Sequence, residues 1–295
     1  MADRSYPALP EALKVPVYDD HTHIDPFSGP GWFGDDGGEP LDWREQLDRA
    51  SVAGVKGVVQ VGTDVESSRW SAGHAAIDPR MLAAVAIHPN DAAVLEAEGG
   101  LDDALAVIDE LAAQPRVRAV GETGLDFYRT GEEGRAAQFR SFEAHIDIAK
   151  RHGAALQIHD RDAHVEVVDT LLRVGAPART VFHCFSGDAG LARLASANGW
   201  YLSFAGTVTF KNAEGLREAL RVTPRDRLLV ETDAPWLAPA PVRGRPNAPY
   251  LVPHTLRFMA QVLETDPSML AAQIASNAEA VYGSWTDDAP DRQGR

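Results

Sequence analysis

The chain has 295 residues, 44% of them hydrophobic, a single cysteine and a formal net charge of −15. That length supports one large core, no run of about 18 uncharged apolar residues is available to span a membrane, and Cys184 alone cannot form an internal disulfide or a multi-cysteine zinc site. The negative charge excludes a broad basic footprint for nucleic acid, although metals and a few arginines can supply positive charge locally.

Residues 1–14 read as an N-terminal extension with no basic n-region followed by an apolar stretch, so no secretory signal is expected. With one thiol, this points to a cytoplasmic protein, expected to be a monomer. From residue 15 onward, short apolar runs alternate with amphipathic helical patterns. Strands are expected at 15–20, 57–61, 82–87, 117–120, 155–158, 180–182, 200–204 and 228–230, each apolar enough to be buried on both faces. Helices are expected at 41–53, 66–76, 101–113, 134–152, 162–175, 190–198 and 213–221. In the fourth of these, Phe139, Phe142, Ile146 and Ala149 make one stripe at helical spacing. Eight such units over about 250 residues predict an α/β fold, a single-domain (β/α)8 TIM barrel over 15–283, ahead of a doubly wound open sheet. Two more helical patterns, the first between Pro253 and Pro267 and the second ending near Tyr282, are expected outside the barrel. The Gly-rich stretch 28–38 is expected to overhang the first strand and matches no phosphate-cradling pattern. Residues 284–295 are polar without period and read as a disordered tail.

Chemistry-bearing residues collect at the strand ends. In His21-Thr22-His23 the i, i+2 spacing sends both imidazoles to one face of a strand, which suits a borderline divalent cation such as zinc. By itself the motif is equally a solvated pair in a turn. Later strand ends carry His88, Glu122, His159, His183 and Asp233, so histidine occupies four ends of a chain with only 10 histidines. Glu122 can bridge two cations through its two oxygens, or belong to a solvated turn. His159 and His183 taken singly are also consistent with structural histidines, His88 with a helix cap, and Asp233 with a turn-former before Pro235.

Together these segments resemble the TatD family of metal-dependent deoxyribonucleases, within the amidohydrolase-like barrel superfamily. The resemblance covers residues 17–282 and rests on Asp20-His21-Thr22-His23, Gly62-Thr63, Ile87-His88-Pro89, Gly121-Glu122-Thr123-Gly124-Leu125-Asp126, His159, His183-Cys184-Phe185-Ser186-Gly187 and Glu231-Thr232-Asp233-Ala234-Pro235-Trp236. It implies two divalent ions, magnesium, manganese or zinc, one held by His21, His23 and Asp233 and the other by His159 and His183, with Glu122 bridging them. It implies further that His88 faces the scissile phosphate, and that Glu122, Asp233 and His88 are the catalytic set. Glu231 is expected to alternate away from the site. The family commonly has Arg-Asn-Glu-Pro after the last strand, whereas this chain has Arg243-Gly244-Arg245-Pro246-Asn247-Ala248-Pro249, without the glutamate. Arg245, Asn247, Lys211 and Asn212 remain candidates for phosphate contacts.

The implied reaction is hydrolysis of DNA phosphodiesters, at a single strand or a 3′ end rather than in duplex, by two cations roughly 3.5–4 Å apart with Asp233 accepting the proton of the attacking water. The rival is a deacylase or amidohydrolase acting on an ester or amide, such as an aminoacyl-nucleic acid. Relatives that bridge their metals with a carbamylated lysine are disfavoured, because Lys14, Lys56, Lys150 and Lys211 all lie away from strand ends. A purely structural metal is a further alternative, against which the open arrangement of ligands argues.

Overall fold

The computed structural model describes residues 5–28 and 41–286. Its strands are β1 (Val17–Thr22), β2 (Val55–Val61), β3 (Met81–Val85), β4 (Val117–Asp126), β5 (Ala155–Arg161), β6 (Thr180–Phe182), β7 (Tyr201–Phe204) and β8 (Leu228–Val230). All pair in parallel with their sequence neighbours from β1 to β8. The connecting helices are α1 (Trp43–Ala53), α2 (Val65–Ala75), α3 (Pro89–Glu98), α4 (Leu101–Ala112), α5 (Glu132–His152), α6 (His164–Val174), α7 (Ala189–Ala197) and α8 (Glu214–Val222). After β8 come α9 (Val252–Val262) and α10 (Pro267–Tyr282). The architecture is the expected (β/α)8 barrel. Among the described residues, no helix is long and apolar enough to cross a membrane.

Helix α3 escaped the apolar periodicity because it buries only Pro89 and Ala92. What starts it is Pro89 in the first turn and the His88 imidazole, which accepts from Asn90 N. The Gly-rich stretch lies outside the described residues except for Ser28, as does the expected tail beyond Thr286.

Strand side chains divide between two apolar regions, as the period of two requires. Val58, Met81, Ala83, Val120, Leu156 and Phe182 face the helical jacket. Tyr18, Val59, Val61, Leu82, Ala84, Ala119, Ala155, Val181 and Leu229 fill the barrel interior. That inner set also includes Ala275, Ala278, Val281 and Tyr282 of α10, and Trp285. The end of α10 therefore closes the barrel floor instead of lying wholly outside, which corrects the expectation. Trp285 stacks on Tyr18 at 3.8 Å and donates from Nε1 to Val58 O, and the Tyr282 hydroxyl donates to Asp20 Oδ2 at 3.0 Å. A ring pair with two polar tips fits a small barrel interior that still needs hydrogen-bond partners for its polar layer. Trp285 is 4% exposed, so the ordered barrel runs past residue 284, where the polar tail was expected to begin.

The barrel closes where β8 meets β1, and the joint is made at the C-terminal ends of both strands. Asp233 N donates to His21 O, and His23 N donates to Ala234 O at 2.7 Å. Below them the Asp19 carboxylate accepts from Thr232 N at 2.8 Å. The seam thus fixes the backbone of three expected ligands.

His145, fully buried on α5, accepts from Ile87 N through Nε2 and donates from Nδ1 to Ser141 O. This pins the chain just before His88. Burial lowers the His145 pKa to about 4 from its usual 6.5, despite the opposing bond to Ser141. Above pH 6.5 both folded and unfolded forms are neutral here, and the stabilisation is intact. Between 6.5 and about 4 only the unfolded chain binds the proton, so this group should remove about 3 kcal/mol at about 1.4 kcal/mol per pH unit. Urea denaturation of wild type and His145→Gln over this range checks it: the variant should show a shallower loss of stability with acid.

Candidate metal centre

Beyond Asp19 the β1–β2 register shifts before resuming at Thr22, so strict alternation lapses. Asp20 meets interior groups, with Ser203 Oγ donating to its Oδ1 at 2.7 Å, and His21 and His23 nevertheless turn into the barrel mouth as a pair. Their Nε2 atoms are 3.1 Å apart. Both approach Asp233 Oδ1, His21 at 4.0 Å and His23 at 3.6 Å.

Glu122 reaches the same space from β4, which does not end at Val120 as expected but runs on to Asp126. The β4–β5 register shifts between Val120 and Thr123, and that irregularity aims Glu122 inward. The glycines on either side make it possible. Gly121 (φ 155°) and Gly124 (φ 143°) adopt conformations that side chains resist, and a Cβ on Gly124 would lie 2.0 Å from His159 O. Glu122 Oε2 faces His21 Nε2 at 3.6 Å and His23 Nε2 at 3.7 Å. Its Oε1 faces His159 Nδ1 at 2.5 Å, His183 Nε2 at 2.8 Å and His88 Nε2 at 3.5 Å. The carboxylate therefore stands between two imidazole groups, one oxygen to each.

The outer nitrogens decide what the inner ones offer. His23 Nδ1 donates to Val61 O at 2.9 Å, His183 Nδ1 lies 3.2 Å from Glu231 Oε1, and His159 Nε2 lies 3.2 Å from Asp126 Oδ2. With each outer proton directed to a carbonyl or carboxylate, the inner nitrogen offers its lone pair to a cation or, where no cation is bound, takes a proton and donates it to Glu122. Lone pairs facing carboxylate oxygens at these distances require positive charge between them, and a divalent cation satisfies several at once. His88 is reversed. Its Nδ1 accepts from Asn90 N, so Nε2 carries the proton and presents a donor to the site. Among the described residues, the atoms close enough to share one cation form three overlapping groups: His21, His23 and Glu122; His21, His183 and Asp233; and His88, Glu122 and His159.

The electrostatics agree. Burial alone would raise the Glu122 carboxyl, but the His183, His88 and His159 imidazoles hold it well below the usual range. Burial would lower His183, yet Glu122 and Glu231 push it well above the usual imidazole value. Asp233 is the more accessible carboxylate, its side chain 14% exposed against 8% for Glu122.

Two of the predicted phosphate contacts are committed elsewhere. Asn247 is buried and its amide donates to Thr232 O and Trp236 O, so it staples the loop after β8. The Arg245 guanidinium donates to the Ser5 carbonyl and hydroxyl and to Tyr6 O, fastening the N-terminal extension. Lys211 is exposed beyond a 3-10 turn, Gly206–Thr209, that follows β7. Neither Arg245 nor Asn247 is on the imidazole–carboxylate cluster, because their polar groups are committed to backbone.

Two carboxylates were missed. Asp126 orients His159 and accepts from Tyr128 N and Arg129 N; its parity with Glu122 along β4 was the available signal. Glu231 was expected to alternate away, but β8 ends at Val230 and the rule lapses there. Its Oε1 accepts from Cys184 N at 2.9 Å as well as meeting His183.

The pattern of the family described as TatD related DNase matches residues 18–283. The chain belongs to this family. An uncharacterized metal-dependent hydrolase TatD of Mycobacterium tuberculosis is 44% identical over 272 residues, 90% of this chain and 98% of its own. A TatD of Citrobacter rodentium described as a 3′-5′ ssDNA/RNA exonuclease is 34% identical over 248 residues, 82% of this chain and 92% of its own. Among solved structures, the TatD homologue YJJV of Escherichia coli K12 superposes with a TM-score of 0.78 at 25% identity, covering 90% of this chain and 97% of that one. This TatD-family chain is accordingly a metal-dependent hydrolase, with imidazole and carboxylate groups able to hold the metal.

Proposed function

We propose that the protein hydrolyses phosphodiester bonds of DNA at the 3′ end of a single strand, using two divalent ions that share Glu122. The observation that carries this reading is the Glu122 carboxylate, with one oxygen toward His21 and His23 and the other toward His159 and His183. The substrate class draws support from the family description and the relative named as an ssDNA/RNA exonuclease. The net charge of −15 favours a strand end over a long duplex, since little general attraction for phosphate is available.

When bound, two such ions supply Lewis acidity and a strong nucleophile at neutral pH. The chain's own groups do the rest. Asp233, the more exposed carboxylate, takes up the proton of the attacking water. His88 Nε2–H donates to a nonbridging phosphate oxygen, a role its helix-capping bond enforces by fixing the tautomer. Asp126 and Glu231 hold the rings of His159 and His183 in the orientation that leaves their lone pairs inward.

Asp126→Asn should weaken affinity for the metal beside His159 by roughly 10–100-fold while the fold persists, as titration of the stripped protein would show. The function itself is tested by stripping the protein, refilling with magnesium, manganese or zinc, and assaying a single-stranded oligonucleotide, a blunt duplex and an aminoacyl ester. Mononucleotide release from the single strand is the expected result. Absence of phosphodiester cleavage with all three ions would refute it, and hydrolysis of the ester alone would establish the acyl-hydrolase alternative.

A further inference from the structure

Beside the imidazole–carboxylate cluster, over the C-terminal ends of β5 to β7, lies a cavity of about 480 Å3. That is within the ~300–1,000 Å3 typical of sites for one small molecule. No side chain of the cluster lines it, but its wall is hydrogen-bonded to the residues that follow two of them. Ser186 Oγ, on the wall, donates to Asp160 O, the residue after His159. Thr207, also on the wall, hydrogen-bonds the side chain of Cys184, the residue after His183. An occupant would therefore adjoin the side of the cluster built by His159 and His183.

The lining has the chemistry of a nucleoside site. Phe210 and Leu216 give it an apolar side, and the Arg243 guanidinium lies 3.9 Å over the Phe210 ring, a stacked aromatic–guanidinium pair. Unpaired bases stack on such planes irrespective of their identity. The exposed Asn212 amide offers a donor and an acceptor side by side, matching the edge of a base, and the Thr207 and Ser186 hydroxyls suit a sugar. His164 is on the same wall with Nδ1 2.7 Å from Asp160 Oδ2, and Asp188 also lines it, so the wall itself offers no net positive charge to a phosphate. A base stacked and paired within a duplex cannot present its face and edge to this wall, whereas the last nucleotide of a single strand can.

Resting on the hydrolytic reading above, we propose that this cavity receives the base and sugar of the terminal nucleotide, with its 5′-phosphate over the Glu122 cluster. The site would thereby measure one nucleotide from the strand end.

Two oligonucleotides identical except at the 3′ end, one ending in deoxyadenosine and the other in an abasic tetrahydrofuran residue, test this. The metal-loaded wild-type protein should show kcat/KM about tenfold higher on the base-bearing end, mainly through KM. In Phe210→Ala and in Asn212→Ala, whose exposed side chain makes misfolding no concern, that ratio should move toward one. No discrimination by the wild type, or an equal fall on both substrates in the variants, would overturn the proposal. Equilibrium dialysis with deoxyadenosine, which has no phosphate, reads the cavity without any hydrolysis. Saturable binding that Phe210→Ala and Asn212→Ala weaken supports the cavity even where the protein cleaves no phosphodiester. Absence of such binding overturns the proposal while leaving the hydrolytic reading in place.

Discussion

Replacing Glu122 with glutamine is expected to lower kcat on a phosphodiester by roughly 10³-fold, about 4 kcal/mol of barrier, with the barrel still folded. The amide keeps the shape of the side chain, so the β4 irregularity that carries it need not change. What it loses is the charge that two imidazole groups face from opposite sides, at 3.6 and 3.7 Å on one oxygen and 2.5 and 2.8 Å on the other. It also directs an N–H group at one set of nitrogen lone pairs, where a cation is to sit. Both ions should therefore bind more weakly, and a single-turnover assay at saturating manganese separates that loss from a simple affinity defect. Activity within tenfold of wild type under those conditions would contradict the bridging role.

The largest effect on folding is expected from Gly124→Ala. A Cβ at this position would lie 2.0 Å from the carbonyl oxygen of His159, and the backbone φ of 143° is one that alanine resists. Neither partner can withdraw, since Gly124 pairs with His159 in the β4–β5 ladder that also aligns Thr123 with Ile158 and Leu125 with Asp160. The obstacle is backbone on both sides, so no side-chain rotamer relieves it. A loss above about 4 kcal/mol follows, the size reserved for strain at a special backbone position or a breached core. Urea denaturation of the variant should show it, together with loss of activity because His159 must move. A midpoint close to wild type would mean that the β4–β5 pairing is far softer than its geometry implies.

The barrel was legible because each of its strands is a short apolar run, and a strand buried on both faces needs little else. The strand ends were legible for a related reason: charged and imidazole side chains are rare beside such runs, so His21, His88, His159 and His183 stood out where they occurred. The extension of β4 was not. Glu, Thr and Asp among two glycines read as a turn, and only pairing with β5 keeps Gly121-Glu122-Thr123-Gly124-Leu125-Asp126 extended. Asp126 was lost with it.

Alternation failed at Glu231 for the opposite reason, since β8 stops one residue earlier and the rule was carried too far. The resemblance to a family suggested phosphate contacts at Arg245 and Asn247. Sequence carries no record that the N-terminal extension and the loop after β8 already claim their hydrogen bonds. The barrel floor was equally hidden, because Tyr282 and Trp285 resemble the end of any amphipathic helix until Tyr18 and Asp20 are seen above them.

The central claim is the pair of ions on either side of Glu122, and a crystal of the protein grown with manganese tests it directly through anomalous scattering. The predicted map has two peaks, one among His21, His23 and Asp233 and the other between His159 and His183, with Glu122 bonded to both. A single peak without contact to Glu122, or peaks lying away from these side chains, would contradict it.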